Sequence, residues 1–134
     1  MIYWIYDLDF TLYGYDGNPD IDFKYHKILE FPNLKSKIKS LPGKKILFTN
    51  GNLLHTLACV KQLSLERVFH KVSCRELHGL KPDPKSYYIL NKICNINPED
   101  TCYFFEDTVE NLIEAKKFGW KTVYLDPKPQ TLLF

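Results

Sequence analysis

Cysteine is scarce here and poorly spaced for most of what cysteine does. Cys59, Cys74, Cys94 and Cys102 form no C-x-x-C pair, and His26, His55, His70 and His78 form no histidine pair at zinc-site intervals. That argues against a metal-stapled fold. The mostly apolar neighbourhood of each cysteine suits a buried, reduced thiol. No histidine is assigned a catalytic role. Long hydrophobic runs are also missing, so nothing has the length of a membrane span. Charge of one sign is missing too. Eighteen basic and sixteen acidic residues leave a net +2, too little to draw the chain to a membrane or to nucleic acid in general. Lys24, Lys27, Lys35, Lys37, Lys39, Lys44 and Lys45 do crowd one segment, which reads as a solvated face rather than an anion patch. There is no internal repeat and no low-complexity block. The chain enters its first strand at residue 2 without a basic leader, so an intracellular protein is expected.

What is present is a series of short apolar runs that stop at polar residues. At 134 residues the chain is expected to be a single domain, 1–134, with enough length to bury a core. Ile2 to Tyr6 reads as a strand buried on both faces, Lys45 to Thr49 as a second, and part of Val68 to Cys74 as a third. Thr101 to Phe105 and Lys121 to Leu125 complete the set. Helices are expected over 32–41, with Leu34, Ile38 and Leu41 inward, and after Asn52, with Leu53, Leu54, Leu57, Ala58, Val60 and Leu63 as the apolar face. Two more are expected over 84–95, using Tyr87, Tyr88, Ile89 and Ile93, and from Thr108 to Gly119, with Val109, Leu112, Ile113 and Phe118 inward. Residues 12–20 are dense in turn formers and read as a loop or hairpin. The tail Pro127-Lys128-Pro129 reads as irregular, and Leu132-Leu133-Phe134 as a segment that must pack or associate. Strands alternating with helices indicate an α/β fold, a parallel sheet with helices on both faces.

The polar residues that end these runs belong together chemically. Asp7, Asp9 and Thr11 follow the first strand, and Thr49 and Asn50 the second. Lys81 follows the third, and Glu106 and Asp107 the fourth. In open α/β sheets ligands bind beyond the carboxyl ends of the strands, which is where all four clusters fall. Asp7 and Asp9 leave the strand on one side and repel unless a cation is near, and Mg²⁺ prefers such oxygen ligands. A carboxylate nucleophile, a second carboxyl to move a proton, a hydroxyl, amides and a lysine make a parts list for phosphoryl transfer.

Asp7-Leu-Asp9-Phe-Thr11-Leu-Tyr, Phe48-Thr49-Asn50-Gly, Leu80-Lys81-Pro82 and Phe104-Phe105-Glu106-Asp107-Thr108 together resemble the motifs of the haloacid dehalogenase superfamily, over nearly the whole chain. Leu12-Tyr13, the Thr49-Asn50 pair and Asn111 are most similar to the pyrimidine 5′-nucleotidase-like branch. The resemblance implies a three-layer Rossmann-like sheet of about five strands in the order 3-2-1-4-5. It implies Asp7 as nucleophile and Mg²⁺ ligand, and Asp9 as general acid/base with its backbone carbonyl facing the metal. Thr49, Asn50 and Lys81 would hold phosphate, and Asp107 would ligate Mg²⁺. Thr11, Glu106 and Asn111 would support them. An aspartate at position 9 points to phosphatase or mutase chemistry, because dehalogenases and P-type ATPases of the superfamily lack it.

The departure from the family lies between the first two motifs, where a cap domain is usually inserted. Only residues 13–30 are left for a flap or vestigial cap, so an open site is expected. An open site suits either a large phosphorylated substrate whose own bulk covers it, such as a phosphoprotein or a nucleic-acid end, or a homo-oligomer whose neighbour serves as lid. Among small phosphomonoesters a nucleoside monophosphate is preferred. Tyr13 and Tyr15 either stack on a flat substrate group or pack the flap. The leading expectation is a Mg²⁺-dependent phosphatase. The alternatives are a non-catalytic phosphate-binding regulator and a phosphotransferase or mutase.

Overall fold

The structure, a computed structural model, describes residues 1–21 and 23–125. The expectations for residues 127–129 and 132–134 lie outside the described residues. Strand β1 (Ile2–Tyr6) leads into a short antiparallel hairpin of β2 (Tyr13–Tyr15) and β3 (Ile28–Glu30), with a 3-10 turn at Tyr25–Lys27 between them. Then follow α1 (Leu34–Ser40), β4 (Lys44–Phe48), α2 (Leu53–Gln62), β5 (Lys71–Ser73) and the single turn α3 (Arg75–His78). The chain continues through α4 (Pro84–Ile93), β6 (Thr101–Glu106), α5 (Val109–Lys117) and β7 (Lys121–Tyr124). The main sheet is parallel throughout, in the order β5-β4-β1-β6-β7. Counted over the core strands alone, that is the expected 3-2-1-4-5.

β1 sits at the centre with β4 and β6 on its flanks, and its side chains alternate between two cores. Tyr6 joins Leu47, Cys59, Val60 and Leu63 on the face covered by α1, α2 and the hairpin. Tyr3 and Ile5 join Ile46, Phe48, Phe104, Leu90 and Leu112 on the face covered by α4 and α5. Both faces are therefore layered with helices. No helix among the described residues is long and apolar enough to cross a membrane.

Three helical faces differ from expectation for one physical reason. Leu53, Leu54 and Leu57 are exposed, while Thr56, Cys59, Val60 and Leu63 form the buried stripe of α2. Tyr88 is exposed, while Ser86, Tyr87 and Leu90 are buried on α4. Val109 and Ile113 are exposed, while Asn111, Leu112 and Ala115 are buried on α5. In each case a small polar residue occupies the inward stripe because its polar group is bonded locally. Thr56 Oγ1 donates to the Asn52 carbonyl at 2.7 Å, Ser86 Oγ to the Asp83 carbonyl at 2.7 Å, and Asn111 Nδ2 to Glu106 Oε2 at 3.1 Å. Once bonded, these groups cost little to bury. α1 begins at Leu34 rather than at Pro32, after Asn33 in the left-handed region. Thr108 stands at the N-cap of α5 without a side-chain cap bond.

The turn into β4 depends on a glycine. Gly43 has φ +109, and a Cβ there would meet the Ile2 carbonyl oxygen at 2.4 Å. Gly119, at φ +79, has open space around it. Gly43→Ala is therefore expected to destabilise by about 2–3 kcal/mol and Gly119→Ala by about 1 kcal/mol, read from urea denaturation midpoints. Equal effects would show that the close approach to β1 does not matter.

Candidate active site

The carboxyl edge of the sheet carries the acids because the strands are in register. The Asp7 N–H donates to the Phe105 carbonyl at 2.9 Å and the Thr49 N–H to the Ser73 carbonyl at 3.0 Å, so β1 and β4 hold their exits against their neighbours. Lys81 arrives from the loop before α4. Asn50 clamps that loop, accepting from the Lys81 N–H at 2.7 Å and donating to its carbonyl at 3.1 Å. Asp83 caps α4 by accepting from the Lys85 N–H, with Pro84 in the first turn.

Lys81 is the centre of the arrangement. Its ammonium donates to Asp7 Oδ1 at 3.1 Å, to Glu106 Oε2 at 2.8 Å and to the Phe48 carbonyl at 2.7 Å. An ammonium has three protons, and all three are in use. The side chain is almost wholly buried, against the rings of Phe48 and Phe104. Burial favours the neutral amine, yet the Asp7 and Glu106 charges outweigh it and raise its proton affinity. Asp7 shows the converse. Burial pushes its carboxyl up, but Lys81 and bonds from its neighbours hold it below the ordinary value. Thr11 Oγ1 donates to Asp7 Oδ2 at 2.8 Å and also approaches Asp107 Oδ1 at 3.4 Å.

Glu106 has no free oxygen. Its Oε1 accepts from the N–H groups of Asp107 and Thr108, and its Oε2 from Lys81 and Asn111. Its carboxyl is pushed up, first by burial and then, against the pull of Lys81, by Asp7. Asp107 is pushed up to about 9 by burial and by its two acidic neighbours. Oxygens of Asp7, Glu106 and Asp107 all lie within 4.8 Å of one another. Full ionisation of all three would set three negative charges against one ammonium, a surplus that a hard divalent cation would balance. With Glu106 saturated by hydrogen bonds, Asp7 and Asp107 are the side chains free to hold it.

Asp9 stands in a different cluster. Its Oδ1 accepts from the Tyr13 hydroxyl and pairs with His55 Nε2 at 2.6 Å. That bond raises the His55 proton affinity to about 11. His55 Nδ1 meets the Tyr25 hydroxyl at 3.0 Å, and the rings of Phe23, Tyr25 and His55 pack together. Asp9, Phe23, Tyr25, Leu54, His55 and Arg75 line a cavity of ≈ 620 Å³. Another concavity, beside α1 at Glu30, Lys35 and Lys39, contains none of the expected site residues.

The structure thus gathers Asp7, Thr11, Lys81, Glu106, Asp107 and Asn111 into one network and places Asp9 in an adjoining one. Thr49 is fully buried, its Oγ1 accepting from the Gly51 N–H at 3.0 Å, and its own hydroxyl proton remains to be donated. Tyr13 and Tyr15 are buried in the hairpin core, so they pack the flap, and Phe23 and Tyr25 are the rings that reach the cavity. His55 was missed as a site residue. The signal for it was the Asn52 cap, whose Oδ1 accepts from the His55 N–H at 2.8 Å and sets that side chain in the first turn of α2.

Sheet order and carboxylate network define a Rossmann-like α/β core with its acids at the carboxyl edge. Residues 20–125 match the family model described as haloacid dehalogenase-like hydrolase, and the chain belongs to that family. Asp7, Asp9 and Thr11 lie before the matched span. Over 106 residues the chain is 29% identical to (S)-2-haloacid dehalogenase 4A of Burkholderia cepacia, covering 76% of this chain and 46% of that protein. It therefore spans about half the length of that curated relative. The L-2-haloacid dehalogenase of Xanthobacter autotrophicus superposes with TM-score 0.63 at 21% identity, over 75% of this chain and 42% of that one. A Thermotoga maritima protein assigned as a beta-phosphoglucomutase superposes with TM-score 0.67 at 17% identity, over 91% and 84%. At such identities the two structures speak to the fold alone.

Two measurements test these electrostatics. Lys81→Met leaves Asp7 and Glu106 buried without a counter-charge and is expected to cost about 3–5 kcal/mol in urea denaturation. Adding Glu106→Gln is expected to recover part of that loss, and strict additivity would deny the coupling. The second concerns His78, buried with Nδ1 2.7 Å from Ser73 Oγ. Burial and then the Lys81 charge lower its proton affinity to about 4. Between pH 6.5 and 4 the unfolded chain binds a proton there that the folded chain does not. The stabilisation is full above about pH 6.5 and lost as the pH falls toward 4. Between pH 7 and 4.5 the wild type is expected to lose about 2 kcal/mol more than His78→Asn. Parallel profiles would contradict this.

Proposed function

We propose that the chain is a Mg²⁺-dependent phosphomonoesterase acting through an aspartyl-phosphate, of the 5′-nucleotidase-like type. The observation that carries the reading is Asp7, a buried carboxylate kept charged by Lys81 and Thr11, with a second aspartate two residues on at the wall of an open cavity. Asp7 and Asp107, with the Asp9 carbonyl, would hold Mg²⁺. When bound, the cation would neutralise charge on the phosphate oxygens and disperse the surplus of the acidic cluster.

In this reading an Asp7 oxygen attacks phosphorus and the ester oxygen leaves with a proton from Asp9. Water then attacks the acyl phosphate and gives its proton back to Asp9, and Asp7 is regenerated. Asp9 and His55 act as a single proton-bearing pair, because one hydrogen bond joins them. The Thr49 hydroxyl donates to a phosphate oxygen. Lys81 exchanges one of its three bonds for another, since no proton is spare. The Asn50 side chain keeps Lys81 in place through its backbone.

The nucleotidase-like reading draws support from the ring cluster of Phe23, Tyr25 and His55 next to Asp9. A planar base can lie on such a surface, and Arg75 lines the same cavity. The likeness to (S)-2-haloacid dehalogenase 4A favours a second reading, in which Asp7 attacks a carbon bearing halide and Asp9 has no proton to move.

Purified protein with Mg²⁺ is expected to hydrolyse an aryl phosphate, Asp7→Asn to abolish the reaction, and Asp9→Asn to lower kcat by roughly 10²–10⁴-fold. Tyr25→Ala is expected to raise KM for a nucleoside monophosphate more than for glycerol phosphate. Halide release from 2-chloropropionate, with no phosphate released across a panel of esters, would establish the second reading instead.

A further inference from the structure

The cluster around Asp9 holds a residue that phosphatase chemistry does not use. Cys59 follows His55 by four positions on α2, so the two side chains stand one above the other on the same face. Cys59 Sγ lies 3.5 Å from His55 Nε2, and His55 Nε2 lies 2.6 Å from Asp9 Oδ1. Donor atoms of all three residues fall within 4.8 Å of one another. We propose that Asp9, His55 and Cys59 form a second metal site, selective for Zn²⁺ over Mg²⁺, whose occupation withdraws Asp9 from proton transfer.

Geometry and donor chemistry both support this. Tetrahedral Zn²⁺ with sulfur and nitrogen ligands sets those two atoms about 3.5 Å apart. The separation of Cys59 and His55 is already of that size. The Asp9–His55 pair must open by somewhat under 1 Å to admit the ion, and Asp9, at the wall of the cavity, is the side that can turn. The other imidazole nitrogen of a metal-bound histidine donates a hydrogen bond to an oxygen. His55 Nδ1 faces the Tyr25 hydroxyl at 3.0 Å, which can accept it. Asp9 and His55 line the ≈ 620 Å³ cavity, which gives the ion a way in and a water the fourth position. Binding releases the Cys59 thiol proton and the His55 Nε2 proton to solvent. A thiolate, an imidazole and a carboxylate favour Zn²⁺, whereas the oxygens of Asp7 and Asp107 suit Mg²⁺ held in excess. Under excess Mg²⁺ the two sites would divide the two metals between them.

The binding claim stands on its own, and only its inhibitory consequence rests on the phosphatase reading. Co²⁺ added to the full chain in excess Mg²⁺ is expected to give a thiolate-to-metal charge-transfer band, which Zn²⁺ then abolishes by displacement. Cys59→Ser, with Cys59→Ala as a second variant, is expected to lose that band. In the activity arm Zn²⁺ inhibits aryl phosphate hydrolysis with Mg²⁺ in excess. Cys59→Ser keeps its basal turnover and needs at least about tenfold more Zn²⁺ for the same inhibition. Absence of the band in the wild type, or its persistence in Cys59→Ser, overturns the site. Equal Zn²⁺ inhibition of wild type and Cys59→Ser overturns the regulatory claim by placing the inhibitory ion at Asp7 and Asp107. If the wild type has no phosphatase activity, the Co²⁺ band alone decides the binding claim.

Discussion

One buried ammonium ties the three central strands of the sheet together. Lys81 bonds a carboxylate just beyond β1, a carbonyl at the end of β4 and a carboxylate at the end of β6. Removing an ammonium from water costs several kcal/mol, and only a full set of partners offsets it. Those partners converge only when β1, β4 and β6 are in their native register, since a slip of one residue would turn Glu106 or Asp7 to the opposite face. The charge balance of the site is in this sense also a check on the sheet. The Phe48 and Phe104 rings beneath the ammonium exclude the water that would otherwise relax the requirement.

The sheet was legible in the sequence because buried parallel strands are written as short apolar runs stopped by polar turns, as β1, β4 and β6 are among the described residues. The grouping of Asp7, Thr11, Lys81, Glu106 and Asp107 followed from their common position after strand ends. Helical faces were harder to read. Hydropathy attends to Leu54, Leu57, Tyr88 and Ile113, whereas burial follows Thr56, Ser86 and Asn111, whose polar groups are satisfied within reach of their own helix or of Glu106. A pattern that scores residue type has no access to that local bonding. The Asp9–His55 contact was hidden for a different reason. Nothing in the spacing of residues 9 and 55 relates them, and only the placement of the start of α2 by Asn52 brings the imidazole over the β1 exit.

Two aspartates separated by one residue thus end up in separate electrostatic environments. Asp7 belongs to a dry network balanced by Lys81, and Asp9 to a half-open one balanced by His55. Leu8, fully buried between them, anchors the backbone of both, while Phe10 turns into the left-handed region immediately afterwards. The chain therefore separates a charged pair by geometry instead of by distance along the sequence.

The hairpin that follows them has a kinetic consequence. Tyr13 and Tyr15 are built into the same core as Leu47, Cys59 and Leu63, and the Tyr15 hydroxyl accepts from the Lys24 N–H across the turn. Lifting this hairpin as a gate would expose those rings and dissolve part of the domain, so it behaves as a fixed wall. Moving that wall away from Asp9 would take local unfolding of the core, a slower event than the swing of a loop.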